Sequence, residues 1–95
     1  MKTNWSVFAE GELRNAILYY RNIRVGLDKD LMLCVDAAIE LIVRHPDLGS
    51  LVYDSVRRKL IRRFPYGIFY ITSDKELYVI GFRHYRQSDV KYKNR

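Results

Sequence analysis

The chain has 95 residues, 48% hydrophobic and 14% aromatic, with 17 Lys/Arg against 11 Asp/Glu and a formal charge of +6. That length supports one hydrophobic core and the composition excludes the low-hydrophobicity signature of disorder, so residues 1–95 are expected to form a single folded domain. No apolar run approaches the ~18 residues that span a bilayer, and Met1 to Trp5 lacks the apolar stretch of a secretion signal, so a cytoplasmic protein away from membranes is expected. The lone Cys34 excludes an internal disulfide, and Cys34, His45 and His84 are too dispersed for a structural zinc site. No metal, cofactor or small-molecule substrate is expected.

Trp5 to Phe8 is apolar and β-prone enough for a short first strand. From Glu10 to Arg24, Leu13, Ala16, Ile17, Tyr20 and Ile23 recur at three- and four-residue steps, which lines one face of a helix. Gly26 suits the left-handed residue that ends it, and Asp28 is placed to cap a second helix. Leu31, Cys34, Val35, Ala38, Leu41 and Ile42 keep the stepping until Pro46 stops the helix near His45. So short a link makes an antiparallel helical hairpin. Cys34 reads as a small core residue on the apolar stripe, and His45 as a cation at the negative helix end.

Pro46 to Ser55 reads as a turn and loop without strand or helix period. Val56 to Phe64 is the next strand, with basic residues on both faces; Pro65 interrupts it. Tyr66 to Thr72, a turn at Ser73 to Lys75, and Glu76 to His84 complete the chain of strands. The last strand is apolar at both parities, which predicts burial on both sides. Helices can cover one face, and the polar, basic tail from Gln87 to Arg95 is a poor lid for the other, so a partner is expected there. The fold class is therefore α+β, in the order β-α-α-β-β-β, with a helical hairpin on one face of a small, mainly antiparallel sheet.

Charge is unevenly placed. Residues 1–55 carry six Lys/Arg against eight Asp/Glu, whereas residues 56–95 carry eleven against three. A half-chain this basic points to an anionic partner: nucleic acid, a nucleoprotein machine or an acidic protein. Arg57, Arg58, Lys59, Arg62 and Arg63 put five cations into seven residues, more than is needed to keep a sheet edge from aggregating.

The string Val56-Arg57-Arg58 through Arg62-Arg63-Phe64-Pro65-Tyr66-Gly67-Ile68-Phe69-Tyr70, followed by Tyr78-Val79-Ile80-Gly81-Phe82-Arg83-His84-Tyr85-Arg86, resembles the RelE/ParE superfamily of bacterial toxins. Phe8-Ala9-Glu10, Tyr19-Tyr20, Gly26-Leu27 and Pro46 to Gly49 are placed as in that superfamily, so the resemblance spans nearly the whole chain. It implies the toxin half of a type II toxin–antitoxin pair, with a cognate antitoxin lying over the sheet and helices. Tyr66, Tyr70 and Tyr78 are spaced for one sheet face, as core or, with Ile80, as contacts for that antitoxin.

The superfamily implies two activities. RelE-like chains cut messenger RNA on the ribosome; ParE-like chains bind DNA gyrase and trap it in a DNA-damaging state. Metal-free RNA cleavage needs a proton acceptor, a proton donor and cations for the phosphorane, and the candidates are Arg58, His84, Arg86 and Tyr92. Gly67, however, stands where those ribonucleases carry an arginine, and Arg58 and Leu60 stand for their paired lysines. An arginine is a poor proton donor because its pKa stays above ~12. The ending His84-x-Arg86 resembles the ParE-like branch. Gyrase inhibition is therefore placed ahead of ribosome-dependent RNA cleavage by a metal-independent endoribonuclease, with a non-catalytic nucleic-acid-binding module third. Arg58, Arg62, Arg83, His84 and Arg86 are the residues expected to face the target.

Overall fold

Ser6 starts the first helix. Its backbone is extended and its hydroxyl accepts the Ala9 N–H at 3.0 Å, so α1 runs Val7–Ile23, three residues earlier than the apolar stepping alone indicates. The computed structural model describes residues 1–84. The strand ahead of α1 is correspondingly displaced: β1 is Lys2–Trp5, mostly polar, because it lies at the sheet edge. Gly26 takes the left-handed conformation (φ 90°) between the helices, as its place between the two stripes predicts. It also stands at the N-cap of α2 (Leu27–Arg44), so Asp28 lies inside the helix and accepts from Arg21 Nε at 3.1 Å instead of capping. His45 ends α2, its N–H bonded to Leu41 O, immediately before Pro46.

Four strands follow, one more than the sequence suggests. β2 (Ser50–Tyr53) lies in the stretch read as loop, and it is a four-residue edge strand paired antiparallel with β3 (Val56–Leu60). β3 stops at Leu60 rather than Phe64: Arg63 turns the backbone to φ 70°, Ile61 N–H bonds to Tyr66 O at 3.0 Å, and Ile61 and Phe64 swing into the core. β4 (Tyr66–Thr72) and β5 (Glu76–His84) complete a five-stranded sheet of order β1-β5-β4-β3-β2, antiparallel except for the parallel β1–β5 pair.

The helical hairpin packs on one face. Ala9, Ala16, Leu31, Val35, Ala38 and Ile42 meet Ile68, Tyr70, Leu77, Val79 and Phe82 in a single core. Tyr70 is wholly buried there; its hydroxyl donates to Pro46 O at 2.8 Å and accepts from Gly49 N at 2.9 Å, tying the loop after α2 to the sheet. Arg57 secures the same loop through Gly49 O at 2.8 Å and Asp47 O at 3.2 Å. The far face holds a smaller cluster in which Val56 and Phe69 are buried, with Val52, Ile71 and Ile80 around them. Phe69 is 0% exposed, so that face is less bare than the two-sided apolarity of β5 suggests. No helix among the described residues is long and apolar enough to cross a membrane.

Candidate functional site

Of the residues expected to face a target, Arg83 and His84 line one pocket, whereas Arg58 and Arg62 lie apart from it. Register sets Arg58 opposite Phe69, on the far face of the sheet, and Arg83 opposite Gly67, but the Arg83 side chain reaches round the open edge of β5 to α1. The Arg58 stem lies over that glycine: a Cβ built there would meet Arg58 Cγ at 3.0 Å. His84 pairs with Tyr66 and belongs to the helix side, its ring 5.9 Å from that of Tyr66. Arg62 lies away from both, in the turn after β3. Arg86 and Tyr92, like Tyr85, lie outside the described residues.

Arg83 is engaged inside the chain. Its Nε is 2.7 Å from Glu12 Oε2, and its guanidinium lies 5.0 Å from the Phe8 ring centroid, leaving the side chain 11% exposed. Among the other cations of the basic half, Arg57 holds the Pro46–Gly49 loop and Arg63 pairs with Asp30 at 3.5 Å. The run of five is thus partly structural, with Lys59, Arg62 and Arg63 gathered at one rim.

The tyrosines divide as well. Tyr66 and Tyr70 face the helices, whereas the bulge near Gly81 and the pairing of Ile71 with Tyr78 put Tyr78 on the opposite face. Tyr78 there meets Glu76, whose carboxylate accepts from Asn4 Nδ2 at 2.8 Å; the bond to Glu76 first, and burial second, raise the Tyr78 phenol. Ile80 flanks the Phe69 cluster. Tyr70, fully buried with its hydroxyl satisfied, has no surface to offer a partner and is corrected to a core residue.

Two concave places among the described residues bear on the site. The first is a groove of about 280 Å³ between α2 and the end of β3 with its following turn. Leu33, Ala37, Leu41 and Leu60 give it an apolar floor, and Lys59, Arg62 and Arg63 a cationic rim. Leu33 is 68% exposed, Leu41 40% and Leu60 43%, so this is apolar surface with nothing over it among the described residues. Leu33, Ala37 and Leu41 recur every four residues, a second stripe beside the core stripe of α2; the sequence reading passed over Leu33 and Ala37 and put Leu41 on the core stripe, from which its exposure removes it. Cys34 lines this groove, half-buried, rather than the centre of the core.

The second is an open polar pocket of about 320 Å³ between α1 and the end of β5, lined by Glu12, Asn15, Tyr19, Tyr66, Arg83 and His84. Tyr66 stacks flat on Phe82, rings 4.9 Å apart, and burial, with the Tyr20 hydroxyl beside it, pushes its phenol up to about 12. It is therefore a hydrogen-bond donor at any working pH. Since folding raises this phenol from 10.0, its contribution to stability is whole below pH 10 and is lost as pH climbs toward 12. Thermal unfolding of Tyr66→Phe against the parent is expected to show a shallower loss across that alkaline window; parallel curves would refute the assignment. Among the described residues no group of three or more His, Cys, Asp or Glu gathers to hold a metal. Glu12, Asn15 and Tyr19 were absent from the sequence-level candidates; their spacing along α1 is the one signal that places them together.

No family model matches the chain, and no curated protein does. Among solved structures it is similar to a chain of one described as "Chromosomal ParDE TA system from P. aeruginosa", with a TM-score of 0.69 and 17% identity over 88% of this chain and 95% of that one. At that identity the likeness is one of fold. Two helices on a mixed five-stranded sheet, in this order and over nearly the full length of both chains, give this protein a RelE/ParE-like α+β fold.

Proposed function

We propose that this chain is the toxin of a type II toxin–antitoxin pair, that it acts in the cytoplasm by inhibiting DNA gyrase, and that a cognate antitoxin neutralises it. The ParDE likeness and the uncovered groove support the toxin and its partner. For the target, the observation that carries most weight is the division of the candidate groups by the sheet. RNA cleavage through the 2′-OH requires its proton acceptor, proton donor and cations to meet at one phosphate. Arg58 and His84 stand on opposite faces, and Gly67 stands where the resemblance to the RelE-like ribonucleases implies an arginine. That arrangement supports binding and trapping of a target more than cleavage.

Purified chain is expected to inhibit gyrase supercoiling and to leave ribosome-bound messenger RNA uncut in a parallel assay. Cut messenger with supercoiling unaffected would reverse the assignment to a ribosome-dependent endoribonuclease. If neither occurs, a salt-sensitive shift of DNA or RNA would mark a binding module instead.

The groove suits the partner's chemistry. Its apolar floor accepts an amphipathic segment, and its rim of Lys59, Arg62 and Arg63 favours acidic residues flanking that segment's apolar side. Tyr66, Tyr78 and Ile80 are proposed as secondary contacts on the sheet.

A further inference from the structure

We infer that Glu12 is a positioning residue: its carboxylate finishes the edge of β5 that β1 leaves open, and so fixes the strand end that presents His84. Its consequence for activity rests on the toxin reading above; the local part does not.

β1 pairs with β5 only from Glu76 to Val79. Ser6 N–H then bonds to Val79 O at 2.9 Å and the chain turns into α1, while β5 continues to His84 with no edge strand beside it among the described residues. A buried backbone N–H with no acceptor costs roughly 1–3 kcal/mol. Helix α1 supplies the acceptor by side chain, since Glu12 Oε1 receives the Phe82 N–H at 2.9 Å. The other oxygen of the same carboxylate, Oε2, forms an ion pair with Arg83, 2.7 Å from its Nε.

Phe8, four residues earlier on the same helix face, lies against the Arg83 guanidinium. Two consecutive residues of β5 are thereby clamped by one turn of α1. The glutamate side chain is 18% exposed and the arginine 11%, so water competes poorly for the hydrogen bond and screens the ion pair little.

The residue that follows the clamp is His84. It rests on Tyr66 and lines the pocket that Asn15 and Tyr19 of α1 complete. The distance between β5 and α1 at this point decides how the imidazole meets those side chains, and Glu12 sets that distance. Arg83 thus contributes by being held, and its charge is spent on Glu12.

The test compares the full chain with Glu12→Gln, which keeps an acceptor's shape but removes the charge. Hydrogen exchange of the Phe82 amide, followed by NMR, is expected to quicken about tenfold, with a shift of the His84 ring resonances. At matched levels of folded protein, the induction needed to arrest growth is expected to rise by about tenfold, the factor that 1.4 kcal/mol represents. An unchanged Phe82 exchange rate overturns the inference. So does faster exchange with growth arrest unaltered, which would leave Glu12 a structural residue only.

Should Glu12→Gln not fold, Glu12→Asp carries the test. It keeps the charge but is one methylene too short to hold both partners, so Phe82 exchange is again expected to quicken. A parent chain that fails to arrest growth would count against the toxin reading, and the exchange arm would still decide the role of Glu12.

Discussion

Replacing Gly49 by alanine is expected to destabilise the chain by about 3 kcal/mol, a fall of roughly 10–25 °C in unfolding temperature for a domain of this size. The added Cβ would sit 2.7 Å from the Tyr70 hydroxyl oxygen and 2.9 Å from Arg58 O. Neither neighbour can retreat. Tyr70 is completely enclosed and held by Pro46 O and Gly49 N, and the Arg58 carbonyl belongs to a strand paired on both sides. The strain must therefore break the tie between the loop after α2 and the sheet.

Gly11→Ala is the internal control. Nothing lies within 4 Å of a Cβ at Gly11, which is inside α1, and there alanine is expected to raise stability by up to about 1 kcal/mol. Equal unfolding temperatures for the two variants, measured by circular dichroism, would refute the contrast.

Leu33→Asp combined with Leu41→Asp is expected to weaken partner binding by at least about a hundredfold, because two leucines leave an apolar contact and two carboxylates enter it. Leu33 is 68% exposed and Leu41 40%, so the isolated chain should still fold, at a cost of about 1–2 kcal/mol from helix propensity and a carboxylate near the helix C-terminus. On the proposed function the measurable result is growth: the double variant should arrest cells as the parent does, yet escape rescue when the proposed antitoxin is co-expressed. Arg62→Glu should act more mildly, slowing association in a salt-dependent way through the rim. Undiminished rescue of the double variant would remove the groove from the proposal.

The helices were legible in the sequence because their side chains repeat at a period that only one geometry satisfies. Leu31, Val35, Ala38 and Ile42 are all buried, and Gly26 and Pro46 end the helices where their backbones require. Edge strands carry less information. Lys2–Trp5 and Ser50–Tyr53 are four residues each and bury little, so β1 was displaced and β2 read as loop. Ser6 was available as a cap signal, and recognising it would have moved both β1 and the start of α1.

The candidate site was legible in its residue types but not in its arrangement. Parity counting assumes an unbroken pleat, and the register shift between Phe69 and Tyr70, opposite Gly81, breaks it. That single irregularity separates Tyr78 from Tyr70. Arg83 looked like a free cation because its partner, Glu12, is 71 positions away on a helix, and no local pattern links the two. The groove was missed for a different reason. Its floor is drawn from a second apolar stripe of α2 that reads, on its own, as a slightly wide core face.

The parallel pairing of the first strand with the last has a consequence for synthesis. Asn4 and Glu76 are 72 positions apart, and β5 lies between β1 and β4, inside the sheet rather than at its rim. A nascent chain therefore holds β1 unpaired until β5 has been made, since contacts of such long sequence separation close last. A chain cut short before β5 loses the middle of the sheet, not a dispensable margin, and the surface around His84 goes with it. Translation interrupted before β5 therefore leaves fragments that cannot fold around a complete sheet.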